Sequence, residues 1–277
     1  FGYAMLARRL GAGHPLVRLA RRAERALGHR ADGHLCVSAA MQAVLAAQWN
    51  VAARVLYDRP PRRFAPAPAA QRDATLQALC AQLDVPAVPR PVLIVSPSSW
   101  TADEDFDLLL DAAARIEARA APGDAPWLML LTGAGAWREH YERRIAARAA
   151  GRVHLRTRWL APADYPAVLA AADLGLCLHR STSGLDLPMK IADMLGAGLP
   201  VCALDYAPCL GEMLHAGETG VLFRTAEELA DRLGLLFDGT PAGHALLARL
   251  RAGAAAAAAG ERWDDAWRAH AAPLILP

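Results

Sequence analysis

The sequence predicts an α/β protein built on a doubly wound parallel sheet, and three observations carry that expectation. Six short apolar runs recur from residue 92 onward, and a stretch of helical periodicity fills each gap between them. The run DLGLCLH (Asp173 to His179) has the continuous apolar character of a buried parallel strand. The spacing leaves room for a crossover helix after each strand, which implies right-handed βαβ units.

Taken in order, residues 1–57 form a small block: a basic helix, a short strand HLCVS (His34 to Ser38), a helix to Trp49, and a strand RVLY (Arg54 to Tyr57). That is too little for a Rossmann-like domain and reads as the last third of one. Residues 58–90 are rich in Pro, Ala and Arg and read as a linker with one short helix. The main domain, 91–252, carries strands at Val92 to Ser96, Trp127 to Leu131, Val153 to Thr157, Leu174 to His179, Val201 to Leu204 and Gly220 to Phe223. Helices are expected over Asp103 to Ala120, Ala136 to Ala149, Ala163 to Ala171, Pro188 to Leu195, Cys209 to His215 and Ala226 to Phe237. TADED (Thr101 to Asp105) supplies a capping hydroxyl and first-turn acids for the first of these. The last segment, 253–277, opens with the helix-prone GAAAAAAG. It ends in a helix from WDDAW whose two Trp share a face and are expected to pack.

Composition narrows the function classes. With 277 residues, 54% hydrophobic and 21% charged, the chain is globular. A net charge of +2 gives no whole-chain case for nucleic acid. Residues 1–64 nevertheless hold eleven Arg against Glu24, Asp32 and Asp58. That is either a solvated helix face or one turned to a membrane or phosphate-bearing substrate. The five cysteines show neither a C-x-x-C pair nor a His partner spacing, which argues against zinc and disulfides and fits a reducing compartment. No apolar run is long enough to span a membrane and no signal peptide is evident. The chain opens at Phe1 inside an apparent element, so it reads as a fragment or processed product. Of 30 basic residues, 29 are Arg and one is Lys, at position 190.

In an open parallel sheet, ligands bind beyond the carboxyl ends of the strands. Three strand-end loops are unusual: SPSSW (Ser96 to Trp100), TGAG (Thr132 to Gly135) and HRSTSGLD (His179 to Asp186). TGAG invites a dinucleotide reading, yet Arg138 occupies the third glycine's place and no strand-end acid follows at the required offset. The loop after the fourth strand is more informative. Ser181, Thr182, Ser183 and Gly184 lead through Pro188 into a helix, offering free N–H groups, hydroxyls and a positive helix end to an anionic diphosphate. Lys190 would add a point charge, and Asp193 a carboxylate for ribose hydroxyls. The plainer alternative is Asp186 as an N-cap and Lys190 with Asp193 as an i,i+3 ion pair.

SWTADEDFDLLLDA, TRWLAPADYPAVLAAADLGLCLHRSTSGLDLPMKIADMLGAGLPVCA and FGYAMLARRLGAGHPLVRLARRAE resemble, in order, segments of the chitobiosyldiphosphodolichol beta-mannosyltransferase family. The resemblance implies a GT-B fold, with a complete C-terminal Rossmann-like sheet and the C-terminal remnant of an N-terminal Rossmann-like domain. In that reading 1–57 is the acceptor-side remnant, 58–90 the linker, 91–252 the GDP-mannose-binding domain, and 253–277 a helix returning towards the N-terminal domain. It implies an inverting transfer of mannose from GDP-mannose to GlcNAc2-diphosphodolichol, forming a β1,4 link on the cytosolic face of the endoplasmic reticulum. Dolichyl-diphosphate chitobiose and other lipid-linked oligosaccharide glycosyltransferases are the implied partners, with no nucleic acid.

The same resemblance assigns roles. Asp193 meets the nucleotide ribose, Lys190 and Ser181, Thr182, Ser183 and Gly184 the diphosphate, and Asp186 the mannose hydroxyls. Gly133, Gly135, Trp159 and Leu160 border the guanine, and Ser98 with His179 lines the phosphate rim; His179 also admits a structural role. Related donor domains often carry two acids eight apart, whereas Asp186 and Asp193 are seven apart, and SSWTADED replaces the basic pair usual after the first strand. Inversion needs a general base. The base is expected either in the family's front part ahead of Phe1 or, within these residues, at His14 or Glu24 outside the donor loop or Asp186 inside it. With neither an Asp-x-Asp loop nor a His/Cys cluster, no metal and no cofactor are expected. Two rival readings remain: an NAD-dependent oxidoreductase resting on TGAG, and a non-catalytic sugar-nucleotide-binding remnant.

Overall fold

A computed structural model describes residues 2–149 and 151–275. The chain opens with helices α1 (Gly2–Leu10) and α2 (Pro15–Gly28), then β1 (Leu35–Cys36), α3 (Ala39–Val44) with a π turn over Leu45–Trp49, and β2 (Arg54–Val55). The two strands pair in parallel, Leu35 opposite Arg54 and Cys36 opposite Val55. They are shorter than their apolar runs, because Ser38 already turns inward to cap α3, its Oγ accepting from Met41 N at 3.0 Å.

The stretch expected to be a linker builds core instead. Helix α4 (Ala69–Leu83) buries Leu76, Leu79 and Cys80 against Leu93 and Val95 of the following strand. Phe64 just ahead of it is fully buried, edge-on to Tyr165 at 5.5 Å. A sheet that is apolar on both faces must be covered on both, and this segment supplies part of one cover.

The main sheet contains β3 (Val92–Pro97), β4 (Trp127–Thr132), β5 (Val153–Arg158), β6 (Leu174–Cys177), β7 (Val201–Leu204) and β8 (Gly220–Phe223). All pairs are parallel, in the order β5-β4-β3-β6-β7-β8. The crossover helices are α5 (Phe106–Ala118), α6 (Arg138–Ala146), α7 (Tyr165–Ala171) and α8 (Met189–Gly196). Between β7 and β8 the expected helix is a 3-10 turn, Pro208–Glu212. One face packs on α5 and α9 (Ala226–Phe237) through Leu109, Ile116, Leu229 and Leu233. The other packs on α4, α7 and α8 through Leu169, Ile191 and Met194. From β3 the chain winds outward to β5, then returns to β6 on the opposite side of β3. The strand order therefore reverses between β3 and β6, the switch point beyond whose carboxyl ends open parallel sheets form their binding crevice.

Several boundaries differ from the sequence reading, and three of them have a clear physical cause. Strand β6 stops at Cys177 rather than His179, because the next residues run antiparallel to the 103–105 segment, with Asp105 N on Leu178 O at 3.3 Å and Arg180 N on Asp103 O at 2.7 Å. Helix α5 starts at Phe106, capped by Asp105 on Leu108 N at 3.1 Å, so Thr101 is not its cap. Helix α10 (Pro241–Ala258) runs unbroken through the expected boundary at 252/253, since an alanine run favours extending a helix. Beyond it, α11 (Trp263–Ala266), a π turn (Trp267–Ala271) and α12 (Ala272–Ile275) follow. Trp263 and Trp267 pack together at 6.1 Å, and Ala266 and Ala271 form a small cluster with Leu56 of the N-terminal block. Among the described residues, no helix is long and apolar enough to cross a membrane.

Candidate functional site

The crevice at the switch point has two walls. The first is the loop after β3. Its centre is Glu104, a residue sequence reasoning spent on a helix terminus. Its carboxylate is buried, and Oε2 accepts from Ser98 Oγ at 2.7 Å, Ser99 N at 2.9 Å and Trp100 N at 2.9 Å. These bonds curl the loop tightly enough to put Trp100 at φ 51°, with its indole buried and stacked on Phe106 at 4.5 Å. The other oxygen, Oε1, pairs with the Lys190 ammonium. Burial would raise the Glu104 carboxyl, but Lys190 and the loop donors hold it below the usual carboxylate range.

The second wall follows β6. Ser181 Oγ donates to Asp186 Oδ1 at 2.5 Å and accepts from Gly184 N at 2.8 Å; Ser183 Oγ donates to the same oxygen at 2.6 Å. Gly184 turns at φ 70°, where a side chain would be strained. The two hydroxyls expected to face a diphosphate thus close on Asp186 within the loop, and Thr182 between them is exposed. His179 sets Nε2 3.8 Å from Asp186 Oδ2, its ring edge-on to Tyr206 at 6.0 Å, and the Tyr206 hydroxyl donates to Asp186 O at 2.7 Å. His179, Ser181 and Ser183 hold the Asp186 carboxyl well below the usual range. A carboxylate held ionised this firmly is a poor proton acceptor, which counts against Asp186 as the base.

Helix α8 rises from this wall. Pro188 sits at its N-cap, and no side chain caps its first turn, so the expected Asp186 cap does not form. Lys190 turns to Glu104 across the crevice rather than to Asp193, which removes the i,i+3 ion-pair alternative. Asp193, one turn on, is half-buried and has no hydrogen bond or ion pair among the described residues. Burial raises its carboxyl to about 6, with Arg63 opposing and Asp58 reinforcing the shift. It faces Tyr165, whose own hydroxyl is raised by burial and then by Asp193. Tyr165 opens α7, directly after the loop holding Trp159 and Leu160. Trp159 is exposed at 56%, and Leu160 is part-buried against the core.

The TGAG glycines make a close contact that sequence reasoning did not name. A Cβ at Gly133, which has φ 96°, would collide with Ser98 O, and one at Gly135 with Ser99 O and Trp100. Their smallness seats one rim loop against the next. His14 and Glu24 are engaged as caps: His14 Nδ1 accepts from Leu16 N at 3.2 Å, and Glu24 Oε1 accepts from Tyr3 N at 2.7 Å. Among the described residues, no contact joins either to the loop after β6, and the expectation of a base there gains nothing from the geometry. The N-terminal block meets the crevice elsewhere. Ser38 Oγ donates to Leu185 O, and Glu212 accepts from Ala39 N at 2.6 Å, Ala40 N at 2.9 Å and the Tyr57 hydroxyl at 2.9 Å. Glu212 too went unread, because its partners lie far away in sequence. Among the described residues, no group of three or more His, Cys, Asp or Glu could hold a metal ion.

Residues 90–238 match the family described as "Glycosyl transferases group 1". The chain belongs to this family. As a group 1 glycosyltransferase it has its whole crevice, from Ser98 to Glu212, inside the matched span, and His14 and Glu24 outside it. It is 39% identical to "UDP-glycosyltransferase TURAN" of Arabidopsis thaliana over 99% of this chain and 69% of that protein. It is 38% identical to the chitobiosyldiphosphodolichol beta-mannosyltransferase of Mus musculus over 99% of this chain and 63% of that protein. The chain thus spans about two thirds of the length of the curated relatives it matches. Among solved structures, the sucrose-phosphate synthase of Thermosynechococcus elongatus superposes with a TM-score of 0.68 at 20% identity, over 93% of this chain and 61% of that one. Anabaena HepE superposes with a TM-score of 0.65 at 20% identity, over 86% and 61%. The fold is of the GT-B type.

Proposed function

We propose that this chain carries the donor site of a transferase that moves mannose from GDP-mannose to GlcNAc2-diphosphodolichol with inversion, forming a β1,4 link. The carrying observation is the Asp193 carboxylate, half-buried, without a hydrogen bond or ion pair among the described residues, near Tyr165 of the helix that follows the Trp159–Leu160 loop, and one turn from the uncapped start of α8. A carboxylate left without donors is suited to accept both hydroxyls of a ribose. The uncapped helix end and Lys190 then lie where a diphosphate would extend. Trp159 offers a ring to the base. Neutralisation comes from backbone N–H groups and Lys190, so donor binding proceeds without a metal. The relatives named as mannosyltransferases supply the acceptor in this reading, and the place of action is the cytosolic face of the endoplasmic reticulum membrane.

A second reading has its own support: the Arabidopsis relative is named for UDP, which favours a uridine donor. Calorimetry on the full-length protein with GDP, UDP and NAD separates the readings, followed by transfer from GDP-mannose to a GlcNAc2-diphosphate lipid. Tighter GDP binding with mannose transfer supports the first. Preference for UDP supports the second, and preference for NAD overturns both.

A further inference from the structure

We propose that Glu104 is a positioning residue of the donor site, holding the Lys190 ammonium where the diphosphate must pass and fastening the loop after β3 to the same point. This rests on reading the crevice as a nucleoside-diphosphate site. Glu104 is 4% exposed, and its two oxygens divide the work. Oε2 gathers Ser98 Oγ, Ser99 N and Trp100 N, which would otherwise be left without an acceptor at the crevice wall. Oε1 takes Lys190 from the opposite wall, and 17% of the lysine side chain remains exposed. One carboxylate thus joins the two strands at the switch point, β3 and β6, through their loops.

Charge accounting gives this arrangement a consequence. Lys190 is already matched by Glu104, so the pair presents almost no net charge. An ammonium has three donors. One meets Glu104, and among the described residues the others have no partner, so they can turn towards an incoming phosphate oxygen. Glu104 therefore sets the direction of the lysine and at the same time restrains its long-range pull on anions. Removing the negative charge, with the loop acceptor retained, frees a mobile cation. It binds a diphosphate at least as well but no longer places its donors where charge develops on the leaving phosphate.

The test compares wild type, Glu104→Gln, Lys190→Ala and the double variant of the full-length protein. GDP and guanosine affinities are read by calorimetry, and mannosyl transfer by kcat and KM. Glu104→Gln is expected to raise the GDP-to-guanosine affinity ratio by about threefold or more through the uncovered charge, while kcat falls at least about tenfold and KM does not rise. The double variant is expected to match Lys190→Ala alone. If Glu104→Gln lowers Tm but leaves both the ratio and kcat unchanged, Glu104 is only scaffold. If the two substitutions add independently, it does not act through Lys190. Should Glu104→Gln fail to fold, wild type still decides. Labelling with ¹³C,¹⁵N-lysine then follows Lys190, the single lysine of these 277 residues, its signal assigned by its loss in Lys190→Ala. That signal is expected to be ordered and to shift with GDP but not guanosine; a freely averaged signal, or one unmoved by GDP, overturns the proposal. Wild type that binds GDP no better than guanosine would instead sink the reading of the site itself.

Discussion

Asp173 and Glu104 are both almost sealed from solvent and stand at opposite ends of the same sheet, but different cations meet them. At the amino end of β6, three arginines close on Asp173: Arg90 at 2.9 Å, Arg251 at 3.2 Å and Arg72 at 3.7 Å, with Leu93 N at 3.0 Å. At the carboxyl end, Glu104 receives Lys190 and the donors of its own loop. The arginine forks bind the helices and strands of a pole where no ligand is expected. Their planar, multiply donating heads suit permanent bridges. The pole proposed to take the ligand uses a compact, rotatable ammonium, in a chain whose other 29 basic residues are arginine. The contrast separates cations that hold the fold from one free to take a second partner.

The largest expected effect comes from breaking the structural pole. Asp173→Ala strands three guanidinium groups and should cost about 3 kcal/mol, the lower end for a broken buried pair, since the arginines are partly exposed. Thermal unfolding should shift down by roughly 6–12 °C, while GDP affinity of the folded protein stays unchanged. A Tm close to wild type would show that the arginine cluster contributes little. At the other pole, Lys190→Arg keeps the charge but puts a fork where a point charge sat. GDP binding should weaken by ~1.5 kcal/mol with guanosine unaffected, as expected for a misplaced charge-assisted bond. Equal losses for both ligands would make Lys190 structural.

That contrast was only partly readable from residues alone. The six strands and their parallel sense were legible because apolar runs and crossover lengths are local properties. The lone lysine and the SGLDLPMK loop stood out for the same reason, and the structure brings both to the carboxyl end of the sheet. Glu104 was not legible, since TADED reads equally well as a helix start, and only the β6 loop running antiparallel to it draws the acid inward. The TGAG glycines were visible as special, but their contact with the Ser98 and Ser99 carbonyls was not, for a glycine pair in sequence does not say which protein backbone approaches. Helix α4 was foreseen only as one short helix of a linker, although Leu76, Leu79, Cys80 and Leu83 carry helical spacing, because the prolines before it dominate the composition.

A further test sharpens the ligand pole through pH. The Asp193 carboxyl stands at about 6, above its ordinary value of 3.8. The folded state therefore holds this proton more tightly than the unfolded chain. Between those values acidification favours the fold, and the ionised form above 6 is the strained one. Ribose hydroxyls need that ionised acceptor, so affinity should move the opposite way, rising up to roughly tenfold from about pH 5 to pH 7. Guanosine should follow GDP closely, because the contact is to the sugar. A flat guanosine profile would remove Asp193 from the ribose. The smallest effect is Arg90→Lys, which trades two bonds on Asp173 for a point charge. About 1 kcal/mol of stability should go, read by denaturant titration, and a neutral result would mean that one arm of the fork suffices.

The seating of Gly133 and Gly135 on the Ser98 and Ser99 carbonyls bears on how the crevice breathes. Two strand-end loops packed backbone to backbone, one of them also fastened by Glu104, behave as a single stiff lip. If the proposed donor binds here, that side offers it no extra room. Opening is then expected at the facing Ser181–Gly184 turn, whose internal hydroxyl bonds to Asp186 can be exchanged one at a time, so release rates should respond to changes at the serines more than at the glycines.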